Sequence, residues 1–140
     1  MTQEDKLLLQ DLCARLPFGV KAQYYGSAEE MLTVDTIEAI YTQPSVEIVI
    51  GQYGLGIEDV KPYLRPLSSM SDEEYEEFGA TRLEHQLKCL EIDEKRKAFE
   101  AGMKFDAKDL EYLYSHHYDV RGLIPKGLAL STEVFNPYKD

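Results

Sequence analysis

VKAQYYGSAEEMLTVDTIEAIYTQPSVEIVI, residues 20–50, decides the fold. Val20, Ala22 and Tyr24 alternate with Lys21, Gln23 and Tyr25, the two-residue period of a half-buried strand. Gly26-Ser27-Ala28 reads as a turn. Met31–Val34 and Thr36–Thr42 are apolar and β-branched, and form either one strand bent at Asp35 or two. Gln43-Pro44-Ser45 is a second turn, and Val46, Ile48 and Ile50 make another alternating strand. The loops are too short for crossover helices, so an antiparallel meander is expected.

The flanks are helical or extended. Thr2 with Asp5 forms a capping box for a helix over 3–15, with Leu8, Leu9, Leu12 and Leu16 as its stripe and Pro17 and Gly19 ending it. Gly51–Gly56 reads as a glycine-rich loop without a phosphate-binding ending. Ile57–Val60 reads as one helical turn. Lys61–Pro66 holds two prolines and reads as extended, a candidate edge strand. Ser71 and Glu74 form the best capping box, opening a helix to about residue 90 with the stripe Tyr75, Phe78, Leu83, Leu87 and Leu90. A helix over Asp93–Ala101 stops at Gly102. Asp106 caps another, striped by Leu110, Leu113 and Tyr114 and ending near His117. Asp119–Leu130 is an apolar tail punctuated by Gly122, Pro125 and Gly127.

These elements predict an α+β fold: an N-terminal helix, a small antiparallel sheet for which a partly open SH3-like barrel is one arrangement, and a helical C-terminal part. Residues 1–70 and 71–140 are expected to pack as one compact unit. A chain of 140 residues can bury about two thirds of its unfolded surface and needs no staple.

The net charge is −11, from 26 acids and 15 Lys and Arg. Residues 1–67 carry ten acids and five bases, 68–77 five acids and no base, and 78–140 eleven acids and ten bases. An acidic surface repels phosphate backbones and anionic lipid, so neither nucleic acid nor membrane is an expected partner. Two distant cysteines, Cys13 and Cys89, and an acidic start without an apolar stretch point to a reducing, cytoplasmic setting.

Three stretches, Asp11–Lys21 (DLCARLPFGVK), Ile57–Met70 (IEDVKPYLRPLSSM) and His116–Leu130 (HHYDVRGLIPKGLAL), resemble a family of small proteins of gut Bacteroidetes, common in their prophages and mobile elements. The resemblance implies a bacterial, cytosolic accessory protein and transfers no catalytic residue.

Chemistry-bearing residues are few. His85 and Cys89 share one helix face, but zinc needs four convergent ligands, so no metal and no cofactor are expected. His116 or His117 with Asp119 would be the pair for a small enzyme. The structural alternative has Asp119 and Arg121 fixing the turn while one histidine closes the helix. Glu73, Glu74, Glu76 and Glu77 cluster as a nucleic-acid-mimicking inhibitor requires, yet form no long row. The favoured expectation is a non-enzymatic protein-interaction protein using Tyr63 and Arg65 on the extended segment, and His116, His117 and Arg121 at the turn.

Overall fold

The computed structural model describes residues 2–25, 32–74 and 107–139. The expected helices over 71–90 beyond residue 74 and over 93–101, the Asp106 cap, His85 and Cys89 lie outside these residues, as does the turn at 26–28.

Helix α1 spans Gln3–Arg15. Its capping box is formed: Thr2 Oγ1 accepts the Asp5 N–H at 3.0 Å, and the Asp5 carboxylate accepts the Thr2 N–H at 3.2 Å. The buried face holds Leu8 and Leu12, as the spacing predicts, but also Asp11 and Arg15. Positions 8, 11, 12 and 15 form a single stripe on a helix, so two charges ride into the core with the two leucines.

Strands β1 (Lys21–Tyr25), β2 (Leu32–Tyr41), β3 (Glu47–Ile50) and β4 (Tyr53–Leu55) form the expected antiparallel meander. β2 is one strand. Leu32–Thr36 pair with β1 and Ile37–Tyr41 with β3, with an irregular register between Ile37 and Ala39. The change of partner thus falls just beyond Asp35. A long strand shared by two half-sheets is how a small sheet curls over a core. Val20, Ala22, Ile48 and Ile50, all wholly buried, come from the alternating positions.

Two expectations need correction. Gly51–Gly56 is not one loop: Gly51 (φ 56) and Gln52 (φ 73) make a two-residue hairpin turn, and the chain then runs as β4. Both central residues have positive φ, as the twist-matched hairpin turn demands. A Cβ on Gly51 would also fall inside the buried Tyr24 hydroxyl. Gly51→Ala is therefore expected to lose about 1–2 kcal/mol from left-handed strain alone, read as a lower urea midpoint. An unchanged midpoint would show that the turn has an alternative geometry.

The second correction concerns β5 (Lys61–Leu64), which follows a 3-10 turn at Ile57–Asp59. It is not an edge strand. It pairs antiparallel with β1 on one side and parallel with β6 (Leu130–Ser131) on the other. Pro62, with no N–H to donate, sits before the β6 pairing begins at Tyr63. The order β4-β3-β2-β1-β5-β6 leaves an open sheet with short strands at both ends.

Helix α2 spans Ala107–Ser115 and buries Leu113 and Tyr114. C-terminal residues complete the N-terminal core: Leu123 and Ala129 join the cluster formed by Leu8, Leu12, Val20 and Leu64.

Candidate functional site

α2 ends in a Schellman motif. His117 takes the left-handed conformation (φ 66) that glycine usually supplies. Its N–H donates to the Tyr114 carbonyl at 3.0 Å, and the Tyr118 N–H donates to the Leu113 carbonyl at 2.9 Å. One histidine thus closes the helix, as the structural alternative foresaw. The chain then zips onto the end of β5: the Arg65 N–H donates to the His117 carbonyl and the Asp119 N–H to the Arg65 carbonyl, both at 2.8 Å.

This exit forms one wall of a polar groove of about 560 Å³. Arg65, His116 and His117 line it from the exit, and residues 132–139 supply the other wall through Glu133, Tyr138 and Lys139. His116 Nδ1 lies 3.1 Å from the Tyr112 carbonyl, and its ring stacks on Tyr112 with centroids 4.2 Å apart. His117 stacks on Tyr138, with centroids 3.6 Å apart and planes 7° from parallel. Its Nδ1 is buried without a hydrogen-bond partner. Burial, then the charges of Arg15, His116, Arg65 and Lys21, push the His117 pKa down to about 4.

Arg65 is held from both sides. Its guanidinium forms a two-pronged ion pair with Glu74, at 2.7 and 2.8 Å, and lies 4.3 Å from the centre of the Tyr118 ring. The Arg65 hydrogen bond, joined by bonds from Tyr118 and Ser71, holds the Glu74 pKa down at about 2. Glu74 also closes the expected capping box, with Ser71 Oγ accepting its N–H at 3.1 Å.

Of the five expected partner-binding residues, the groove brings together Arg65, His116 and His117. Tyr63 lies beneath it, 6% exposed, its ring edge-on to Phe135 at 5.6 Å. Arg121 does not line it. Instead its Nη1 donates to Asp11 at 2.7 Å and to the Tyr114 hydroxyl at 2.9 Å. Within the turn after α2, Asp119 supplies the local bonds, its two oxygens accepting the Leu123 and Ile124 N–H groups at 2.9 and 3.0 Å. Those bonds occupy the carboxylate that a histidine–aspartate pair would use.

The residues missed by sequence reasoning are Asp11, Arg15, Tyr138 and Lys139. Arg15 and Asp11 are wholly buried, Arg15 Nε donating to Asp11 at 2.6 Å and its Nη2 to the Tyr118 carbonyl. Their signal was available in the i, i+4 spacing within the leucine stripe. Tyr138 and Lys139 had none: Tyr138 acts through the Lys21 N–H, 117 residues away, and Lys139 takes part only as a wall of the folded groove.

Among the described residues no group of three or more His, Cys, Asp or Glu side chains converges to hold a metal ion, and no helix is long and apolar enough to cross a membrane. No family model matches the chain, and neither a curated protein nor a solved structure matches it.

Proposed function

We propose that this is a non-enzymatic interaction protein of a bacterial mobile element, and that it holds an acidic segment of a protein partner in the groove at the end of α2. Charge placement carries the reading: in a chain of net charge −11 this groove is lined by Lys139, the Glu74-paired Arg65 and the imidazoles of His116 and His117, with Glu133 the one carboxylate among its described lining residues. Exposed charges elsewhere are screened beyond about 8 Å at physiological salt, so the groups lining the groove govern what enters. Among the described residues, Lys139 is the lining cation with no carboxylate bound to it in the groove wall. A helix C-terminus ordinarily presents bare carbonyls that repel an anion. Here the Schellman bonds occupy those of Leu113 and Tyr114. Asn136 Oδ1 accepts the Tyr138 N–H, which leaves the amide NH2 as a donor.

The mobile-element setting rests on the resemblance of the three stretches, and the cytoplasmic setting on the cysteine usage. A nucleic-acid partner is disfavoured because a duplex needs a wide basic face. A mimic of nucleic acid is disfavoured because Glu74, one of its four acids, is neutralised by Arg65.

The test is an amide-shift titration of the labelled protein with a glutamate-rich peptide. The expected result is weak binding, with Kd on the order of 1 mM, and shifts confined to residues 115–117 and 132–139. Lys139→Glu should weaken it about tenfold, a change of about 1.4 kcal/mol. Equal shifts from a lysine-rich peptide or a DNA duplex, or none from the acidic peptide, would overturn the reading.

A further inference from the structure

The β1–β5 ladder stops one pair early. Gln23 pairs with Lys61 and Ala22 with Pro62, so the next pair is Lys21 with Tyr63. At that point the Tyr138 hydroxyl stands between the strands. It accepts the Lys21 N–H at 2.9 Å and donates to the Tyr63 carbonyl at 2.8 Å. The tail thus replaces a backbone hydrogen bond of the sheet with a side-chain bridge.

At its start the tail is tied to β5 by the Thr132 N–H, which donates to the Leu64 carbonyl at 3.0 Å. Lys21 Nζ donates to the Pro137 carbonyl at 3.2 Å, Phe135 meets Tyr63, and Tyr138 stacks on His117. Beside these anchors Val134 is 90% exposed, and Phe135 itself is 53% exposed. Under the lid lies the unpartnered Nδ1 of His117. A buried nitrogen without a partner disfavours the closed arrangement, since opening lets water reach it.

We propose that residues 132–139 are a strap that opens when His117 takes up a proton, and that the groove exists only while the strap is closed. The groups that bear directly on His117 are basic or neutral, with the carboxylates of Asp11 and Glu74 set behind Arg15 and Arg65 as their ion-pair partners. The direct groups are Arg15 on α1, Lys21 on β1, Arg65 at the end of β5, His116 on α2 and Tyr138 on the strap. Glu133 lines the same groove but is exposed. A proton on His117 therefore enters among cations and out of water, and lifting Tyr138 returns the ring to solvent. With the closed-state pKa at about 4 against an ordinary 6.5, acidification from pH 7 to 4 shifts the balance toward the open form by up to about a hundredfold. The strap also forms one wall of the groove, so its opening dismantles the site proposed above. That consequence rests on the groove's being the docking site, whereas the opening itself does not.

Amide exchange of the full chain tests it. After correction for intrinsic rates, Lys21 N–H protection should fall by up to about a hundredfold between pH 7 and 4, while Ile48 and Ile50 stay protected. His117→Asn, which tolerates the left-handed position, should remove that fall. Tyr138→Ala should raise the His117 imidazole pKa from about 4 toward 6.5 by NMR titration. PH-independent Lys21 protection overturns the proposal. So does joint loss of Lys21 and Ile50 protection, a fall that persists in His117→Asn, or a His117 pKa unmoved by Tyr138→Ala. The acidic-peptide titration reads the groove separately, so the two ideas can fail independently.

Discussion

Asp11→Ala is expected to cost about 3–5 kcal/mol, the scale for breaking a buried ion pair by removing one partner. That is a large share of the roughly 5–15 kcal/mol by which a domain is stable. Asp11 is wholly buried, and its two oxygens accept Arg15 Nε at 2.6 Å and Arg121 Nη1 at 2.7 Å. Arg15 is wholly buried too, and one of its nitrogens, Nη1, already has no partner. Taking away the carboxylate leaves that guanidinium with the Tyr118 carbonyl as its remaining hydrogen-bond acceptor and the face of the Tyr114 ring 5.0 Å away. The cation cannot escape to water, because Leu8 and Leu12 hold its helix face against the sheet. Urea denaturation reads the loss. The double variant Asp11→Leu with Arg15→Met should recover most of it, because replacing both charges by apolar groups removes the desolvation cost along with the attraction. A loss under 1 kcal/mol in the single variant would mean that Arg15 finds water or another acceptor.

The meander was legible because burial on one face writes itself as alternation: Val20, Ala22 and Tyr24, then Ile48 and Ile50, are buried where the period puts them. Capping boxes were legible because their chemistry is local, as Thr2 with Asp5 and Ser71 with Glu74 confirm. What failed depended on partners distant in sequence. β4 was hidden because its hairpin turn is Gly-Gln rather than Asn-Gly, and Gly54 dilutes a three-residue strand. β5 looked like an edge because Pro62 cannot donate, yet β6, only two residues long, covers it from sixty-odd positions away. Arg121 was read with its neighbour Asp119 when its partner is Asp11, 110 residues earlier. Arg65 was found as a candidate, but not its clamp by Glu74 and Tyr118, which is what fixes its place in the groove wall.

That clamp makes the protein's acid response a two-step matter. Glu74 has its folded-state pKa held at about 2, below its ordinary 4.5. A depressed carboxyl contributes stability that is complete above about pH 4.5 and is lost as pH falls through 2. At about 1.4 kcal/mol per pKa unit the loss approaches about 3.5 kcal/mol, and we expect about 2–3 because the Glu74 side chain is 23% exposed to screening solvent. His117 is depressed as well, from 6.5 to about 4, so its contribution fades in a higher window, between those two values. The urea midpoint should therefore fall first between pH 6.5 and 4 and again between pH 4.5 and 2. His117→Asn should flatten the upper step alone. Glu74→Gln should flatten the lower one and lower the midpoint at pH 6, because the Arg65 guanidinium keeps its place over Tyr118 but loses its counter-charge. Other carboxylates add to the lower step in every variant, so the comparison that matters is the difference in slope. If Glu74→Gln and the parent chain decline in parallel below pH 4.5, the ion pair contributes nothing to holding residues 71–74 against the end of β5.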